Sequence, residues 1–416
     1  MTKVNVTATK QRLFFTKQPI FDSKRSIWGY ELLGAEVKEG IYEVFPQQES
    51  SASLSSSTYV ALQEAVERGK KIMVGFDDAS ILAGLPYAMP PSCGVVRVLP
   101  CSSPAAGLET ALQKLRGDGY HIVLEVLPGK SLPEDMHSQA DILAFSFSAG
   151  NPDPTSLDLM QKHRSPMLAQ EVKTLGQFQA ARDMGFTLFQ GSFFKAPERM
   201  QDRRLGSNEV ARLNLFRLME TEDPDVKSLA AAIRSDVAVS FRLLSYLNSA
   251  SFGLRQNIQS IDQAIMLLGW LKLKSWLRAV LLVDLAGRDE VPRELAAVSL
   301  QRGKFLESLA TNYDYWGFNP STLFLMGLFS LMDAILGMPM ENVVQLLPLD
   351  AKLKAALMRD PNNEYRPLFE LLEFFEDANW TALEDLTRKL CMDIGPIKYS
   401  FANARDWASG FFASSV

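Results

Sequence analysis

RLLSYLNSASFGLRQNIQSIDQAIMLLGW, residues 242–270, reads as a helix, a polar connector and a second helix. Val237, Phe241, Leu244 and Leu247 recur at helical spacing and give the first helix its apolar face. That helix runs into a turn rich in Asn, Ser and Gly. Ser260 and Gln263 then form a capping-box pair, and Ile261, Ala264, Ile265 and Leu268 supply the second apolar face. Asn248 stands where the first helix must stop, and Asn tolerates the left-handed conformation found just past a helix end. Its amide can reach backbone groups that the ending helix leaves unpaired, while Gly253 permits the reversal. Asn248 and Gly253 are therefore expected to form a structural turn. The competing reading, that Asn248 and the serines after it bind a ligand or a partner, stays open.

Two further segments agree with this one in order. Asp223-Pro224 opens a helix, LLSYLNSASFGL and SIDQAIMLLGW follow, and GLFSLMDAILGMP comes later. Together they closely resemble the HDOD domain, from roughly Asn208 to the C-terminus. The resemblance implies an all-α bundle related to the HD metal-dependent phosphohydrolases but lacking their metal site. It also implies binding to protein partners in signalling. HD hydrolases hold metal through a histidine and an adjacent His-Asp pair. The three histidines here, His121, His137 and His163, all precede this region. GLFSLMD puts Phe329 and Ser330 where His-Asp would sit, leaving Asp333 without an imidazole partner. No metal of that kind is expected.

At 416 residues the chain is long enough for two domains. Its formal net charge of −5 argues against a nucleic-acid binder working by bulk electrostatics. Cys93, Cys101 and Cys391 form no CxxC and no disulfide framework, which suits a reducing compartment. The longest apolar runs, such as LFLMGLFSLM from Leu323, are about half a membrane span. The start is polar, with no apolar core of a signal peptide. A cytoplasmic protein is expected.

The first half alternates β-like runs with helical stretches. LFFTKQPIFD and SIWGYELLGAE read as two strands around an Asp-Ser-Lys turn. A serine-rich stretch, residues 50–57, leads into a helix, and KIMVGF, VVRVLP, HIVLEVL, DILAFSF, PMLAQEV and TLFQGSFF follow as strands. Helix-length stretches such as GLETALQKLRGDG separate them, the mark of a parallel α/β sheet or barrel. The boundary falls in PERMQDRRLGSNE, giving expected domains of residues 1–200 and 201–416.

KQPIFDSKRSIWGYELL, GYHIVLEVL, ADILAFSFS, LAQEVKT and GFTLFQGSFFKAPE resemble an EAL domain in order and spacing. That family implies a TIM-like barrel that hydrolyses cyclic di-GMP with two divalent cations. An EAL-type barrel followed by an HDOD domain is a known bacterial signalling arrangement. Carried over position by position, the motif glutamate corresponds to Glu31, and the QG glutamine to Gln190. The expected Asn is Gly75, and the next strand's glutamate is Arg97. The paired aspartates of DDF fall on Glu125 and Val126. The Lys and Asp of the KID-type strand fall on Ala144 and Ser146, and the two glutamates of the AEGVE-type motif on Gln170 and Lys173. Glu31, Glu125 and Gln190 remain as the remnant site.

Two or three oxygen groups facing an arginine and a lysine are a poor cage for two divalent cations. The resulting expectation is no enzyme, no catalytic residue, no metal and no cofactor. The leading reading is a non-catalytic signalling protein with a pseudo-EAL barrel, its unidentified partner bound through the HDOD domain. Open beside it are a cyclic-dinucleotide receptor without hydrolysis, in which Arg97 and Lys173 attract phosphate, and a residual phosphodiesterase. DNA regulation through the helical half is a weaker alternative. EAL-type barrels often pair, so a homodimer also stays open.

Four features have plainer readings. Asp77-Asp78 mimics a metal pair, but it sits one strand too early, and one Asp is expected to cap the next helix. His121, a lone imidazole, is read as structural. Trp270, Trp276, Trp316 and Trp380 and the methionines 326–340 suit core packing. Lys272, Lys274 and Arg278 are read as a solvated helix face.

Overall fold

The computed structural model describes residues 12–37, 69–100, 104–127, 139–147, 160, 166–198, 205–221, 225–248, 258–312, 317–347 and 349–413. The serine-rich stretch with its helix, Asp223-Pro224, Trp316, His137, His163 and Gly253 lie outside them.

Eight strands close into a barrel in sequence order: β1 Arg12–Asp22, β2 Ile27–Val37, β3 Lys71–Phe76, β4 Gly94–Val98, β5 His121–Val126, β6 Ile142–Ser146, β7 Met167–Gln170 and β8 Leu188–Gln190. β1 runs antiparallel to both β2 and β8, and every other pair is parallel. The β1–β2 turn is held by the Asp22 carboxylate, which accepts from the Lys24 and Ser26 amides. Short and largely apolar, the strands bury both faces, as a parallel barrel sheathed by helices requires. The period of two decides what fills the centre. Ile20, Met73, Val95, Val123, Ile142, Ala144, Leu168 and Leu188 form one apolar cluster, flanked by Trp28.

Gly191 follows β8 at φ 143°, where a Cβ would come 2.1 Å from the Val172 carbonyl oxygen. The glycine is therefore demanded by the crossing of two backbones.

The compact unit built on the barrel comprises residues 1–194 together with Glu373–Gly395. The second unit is Lys195–Leu372 and Pro396–Val416, and it is helical throughout its described residues. Its fold expectation, an all-α bundle, holds. Helix Trp270–Ala286 buries Leu273, Leu277, Leu281 and Leu282 completely. Helices Glu290–Asn312 and Pro320–Phe329 pack so closely that a Cβ on Gly327 would lie 2.3 Å from the Gly303 nitrogen. Met326 and Met332 are fully buried, as core packing predicts.

The opening segment of the sequence reading needs three corrections. Helix Val237–Leu247 buries Leu247 as expected, but with Val239 and Leu243 in place of Phe241, which is 69% exposed. Ser260 does cap helix Ile261–Leu268, accepting from the Gln263 amide at 3.1 Å. The Gln263 side chain, however, accepts from Gln259 rather than closing the box on Ser260. Asn248 does clasp backbone, but that of the returning strand of chain. Its Nδ2 donates to the Ile258 carbonyl at 2.8 Å and its Oδ1 accepts from the Ile258 amide at 2.7 Å.

The basic cluster is also corrected. Arg278 is 2% exposed and forks onto Glu220 at 2.7 and 2.6 Å, with Lys274 at 3.1 Å from the same carboxylate. These are interior ion pairs, drawn in because the helix carrying them is central. No single helix among the described residues is long and apolar enough to cross a membrane. The bent pair Pro320–Leu336 and Met340–Leu346 passes by composition, and both carry the buried apolar positions of the helical core.

Candidate functional site

One step along the strands from the apolar layer toward the carboxyl ends, the inward positions are Glu31, Gly75, Arg97, Glu125, Ser146, Gln170 and Gln190, while Ala144, two residues before Ser146 on β6, stays in the apolar layer itself. On antiparallel β1 the corresponding residue is Gln18, paired in register with Glu31. Seven positions singled out from sequence thus share one layer at the barrel mouth. This is where parallel barrels place their sites.

Two further positions do not belong there. Val126 follows Glu125 directly, so the pleat turns its side chain away from the interior, and it is buried outside the barrel wall. Lys173 lies beyond β7 and is exposed, its amide donating to Gln177 at 2.7 Å. Lys173 thus stands past the end of β7, outside the pleat that sets the other positions in one layer.

The layer is bonded as one network. Arg97 Nη1 lies 2.6 Å from Glu31 Oε1, and Nη2 lies 2.5 Å from Glu125 Oε2. Gln190 Nε2 donates to Glu31 Oε2 at 2.6 Å and to Gln18 Oε1 at 3.0 Å, while Gln190 Oε1 accepts from Gln170 Nε2 at 3.0 Å. Glu31 and Gln190 are 1% and 3% exposed. Burial alone would lower the affinity of the Arg97 guanidinium for its proton. Glu31 and Glu125 more than reverse that, so its pKa moves up and it stays charged. Arg97 Nε is buried and meets no hydrogen-bond partner among the described residues.

Around the rim, Ser146 Oγ donates to Glu171. Glu171 adopts a left-handed φ of 58°, which redirects the chain just past β7. The sequence reading missed both Gln18 and Glu171. Gln18 was hidden because β1 runs the other way, and nothing in the sequence marks a left-handed glutamate. Glu31, Gly75, Arg97 and Leu99 also line a small cavity, together with Ala378 and Trp380 from the Glu373–Gly395 segment of the same unit.

The remaining candidates are structural. Asp77 caps the short helix Asp78–Leu82, accepting from the Ser80 amide at 2.8 Å, and Asp78 accepts from the Ala105 amide. His121 opens β5, where burial and Lys71 hold its pKa down against the opposing pull of Asp141. In the helical unit Phe329 is fully buried, and Ser330 Oγ donates to the Gly327 carbonyl while accepting from Arg302. Burial raises the Asp333 pKa.

The donors at the mouth make a poor site for a divalent cation. Glu31 and Glu125 both engage Arg97, and no three His, Cys, Asp or Glu side chains converge among the described residues. In this arrangement the residues do not fit such an ion.

The HDOD domain family matches residues 209–347. YuxH, an uncharacterized protein of Bacillus subtilis, is 30% identical over 91% of this chain and 94% of its own. CdgJ of Vibrio cholerae, named a cyclic di-GMP phosphodiesterase, is 29% identical over 96% of this chain and 93% of its own. Among solved structures, an EAL domain protein of Listeria monocytogenes is similar over 44% of this chain and 87% of its own, at 15% identity and a TM-score of 0.35.

The name of CdgJ overturns the expectation that this chain is no enzyme. That expectation rested on counting residues lost from motifs. The count left out oxygens that the fold brings to the mouth from Gln18, Ser146, Gln170 and Glu171.

Proposed function

This chain belongs to the same family as YuxH, and from that premise we propose a signalling protein of cyclic di-GMP-related regulation. Its barrel mouth recognises cyclic di-GMP, and its HDOD domain, residues 209–347, engages a protein partner. The observation that carries the reading is the Nε–H of Arg97, a buried donor in the side chain that lines the mouth cavity, with no partner among the described residues. A buried donor left unmade is costly, and a phosphate oxygen is a strong, charged acceptor for a guanidinium N–H. Kinship with CdgJ supports the same ligand class.

Calorimetric titration of the full chain with cyclic di-GMP tests this, with and without Mg²⁺. Chromatography of the mixture for the linear dinucleotide reads turnover on the same sample. Expected is one site per chain, weakened by added salt and by Arg97→Lys, which keeps the charge but loses the fork. No heat at millimolar ligand would overturn the reading.

Hydrolysis is a second reading, favoured by the name of CdgJ. It requires Glu31 and Glu125 to exchange Arg97 for other partners during the reaction, and linear product released by wild type but not by Glu31→Gln would support it.

A further inference from the structure

The segment Glu373–Gly395 is reached only after the chain has built most of the helical unit, yet it packs into the unit of the barrel. Gln18 Nε2 donates to the Glu376 carbonyl at 2.7 Å, joining the segment to a residue of the mouth network. Helix Trp380–Lys389 buries Trp380, Leu383 and Thr387 along one face, and Asp385, Arg388 and Lys389 are exposed. Trp380 also stacks edge-on against Phe375 at 6.3 Å. With Ala378 and Trp380 in place, the cavity over Glu31 and Arg97 has a volume of about 30 Å³. That is room for about two water molecules. A bound molecule of drug size needs roughly 300–1,000 Å³. No dinucleotide enters this space while the segment stays where it is.

The backbone marks both ends of the covering helix. Ala378 and Cys391 take left-handed φ values of 53° and 55°, uncommon for residues with a Cβ. Each sits just outside the helix, where a change of φ and ψ would swing it as a body.

We propose that Glu373–Gly395 is a lid whose Trp380 closes the barrel mouth over Glu31 and Arg97 and lifts to admit a cyclic dinucleotide. The proposal rests on the ligand reading above. The chain enters the segment through helix Arg366–Glu376 and leaves it through helix Ile394–Ala413, and both helices continue into the helical unit. Ligand entry therefore displaces a segment tethered at both ends to the HDOD half. Occupancy of the barrel is transmitted through the chain itself. Ligand affinity is divided by the fraction of molecules with the lid open. Loosening the lid must tighten binding.

The experiment uses the full chain as wild type, Trp380→Ala and Leu383→Ala. Cyclic di-GMP titration is paired with hydrogen exchange of residues 380–389 and of strands β4 and β5. Both variants should bind at least about tenfold more tightly than wild type. Exchange over 380–389 should accelerate as a block with the strands unchanged, and ligand should strip protection from that block in wild type. Equal or weaker binding by Trp380→Ala, with the strands intact, overturns the lid and makes Trp380 a wall or a ligand contact while leaving the binding reading standing. If nothing binds, the ligand reading fails and exchange alone decides. Block acceleration confined to 380–389 sustains the lid, and acceleration shared with β4 and β5 refutes it.

Discussion

Glu31 and Arg97, two strands apart in the barrel, meet with Nη1 2.6 Å from Oε1, their side chains 2% and 8% exposed. Arg97 thereby neutralises a carboxylate that would otherwise be buried unpaired, and reaches Glu125 with its other nitrogen. Removing one partner of such a pair leaves the other as an uncompensated charge. Arg97→Ala should destabilise the barrel by about 3–5 kcal/mol. Arg97→Met combined with Glu31→Gln and Glu125→Gln should cost much less, because no charge is stranded. Denaturant titration, read by exchange of the β4 and β5 amides, compares them. An equal loss in both would mean that packing, and not charge, sets the cost.

Gln190 is the second strut of the layer. It donates to Glu31 and Gln18 and accepts from Gln170, so Gln190→Ala leaves three polar groups to find other partners. The expected loss is about 1–3 kcal/mol in the same measurement. Gln190→Glu should lose at least as much, because it sets a second negative charge against Glu31.

Much of this layer was legible because inward positions recur every two residues. Once Met73, Val95, Val123 and Leu168 are read as the interior, Gly75, Arg97, Glu125 and Gln170 follow from the pleat alone. Val126 was misplaced because the pleat turns the residue after Glu125 outward, and Lys173 because its motif runs past the end of β7. Phe241 was misplaced because helix Val237–Leu247 is apolar on most of its surface, so several phases fit. The covering helix was not legible at all. Trp380 and Leu383 give it an ordinary apolar face, and no local signal tells which half of the chain that face will meet.

Asn248 ties the two helices of the opening segment through paired bonds to Ile258. Asn248→Ala should lower the melting temperature of the helical transition, at a cost of about 1–3 kcal/mol for two bonds. Asn248→Asp keeps the acceptor for the Ile258 amide but loses the donor, and should fall between. A folded fraction that still binds its partner normally is expected. Unchanged stability with binding abolished would make this turn a recognition site instead.

Gly327 lies where helix Pro320–Phe329 crosses Gly303, with no space for a Cβ. Gly327→Ala must push two backbones apart, since the nearest atoms are main-chain atoms of Arg302 and Gly303. The cost should reach about 3 kcal/mol, the upper part of the range for overpacking. Gly317→Ala meets nothing within 4 Å among the described residues and serves as the comparison, its own penalty coming from its φ of 64°. Thermal melts of the two variants separate steric conflict from backbone strain.

Asp333 supplies a pH test of the helical unit. Burial raises its pKa above the ordinary carboxylate value, against the opposing effects of the Ala334 amide, Arg359 and Arg302. A carboxyl whose folded pKa is raised binds its proton more tightly in the native state than in the unfolded one. The stability this contributes is fully present below the unfolded pKa and is lost as pH rises through the folded value. At neutral pH Asp333 is therefore a net burden on the fold. Asp333→Asn removes the charge and keeps an oxygen for the Ala334 amide, which Asp333 Oδ1 now accepts at 2.8 Å. The variant should melt higher than wild type at pH 7, and the difference should shrink as pH falls toward the ordinary carboxylate range. A gap that stays constant with pH would place its origin in hydrogen bonding instead of ionisation. A variant less stable at pH 7 would mean that attraction to Arg302 and Arg359 outweighs burial there.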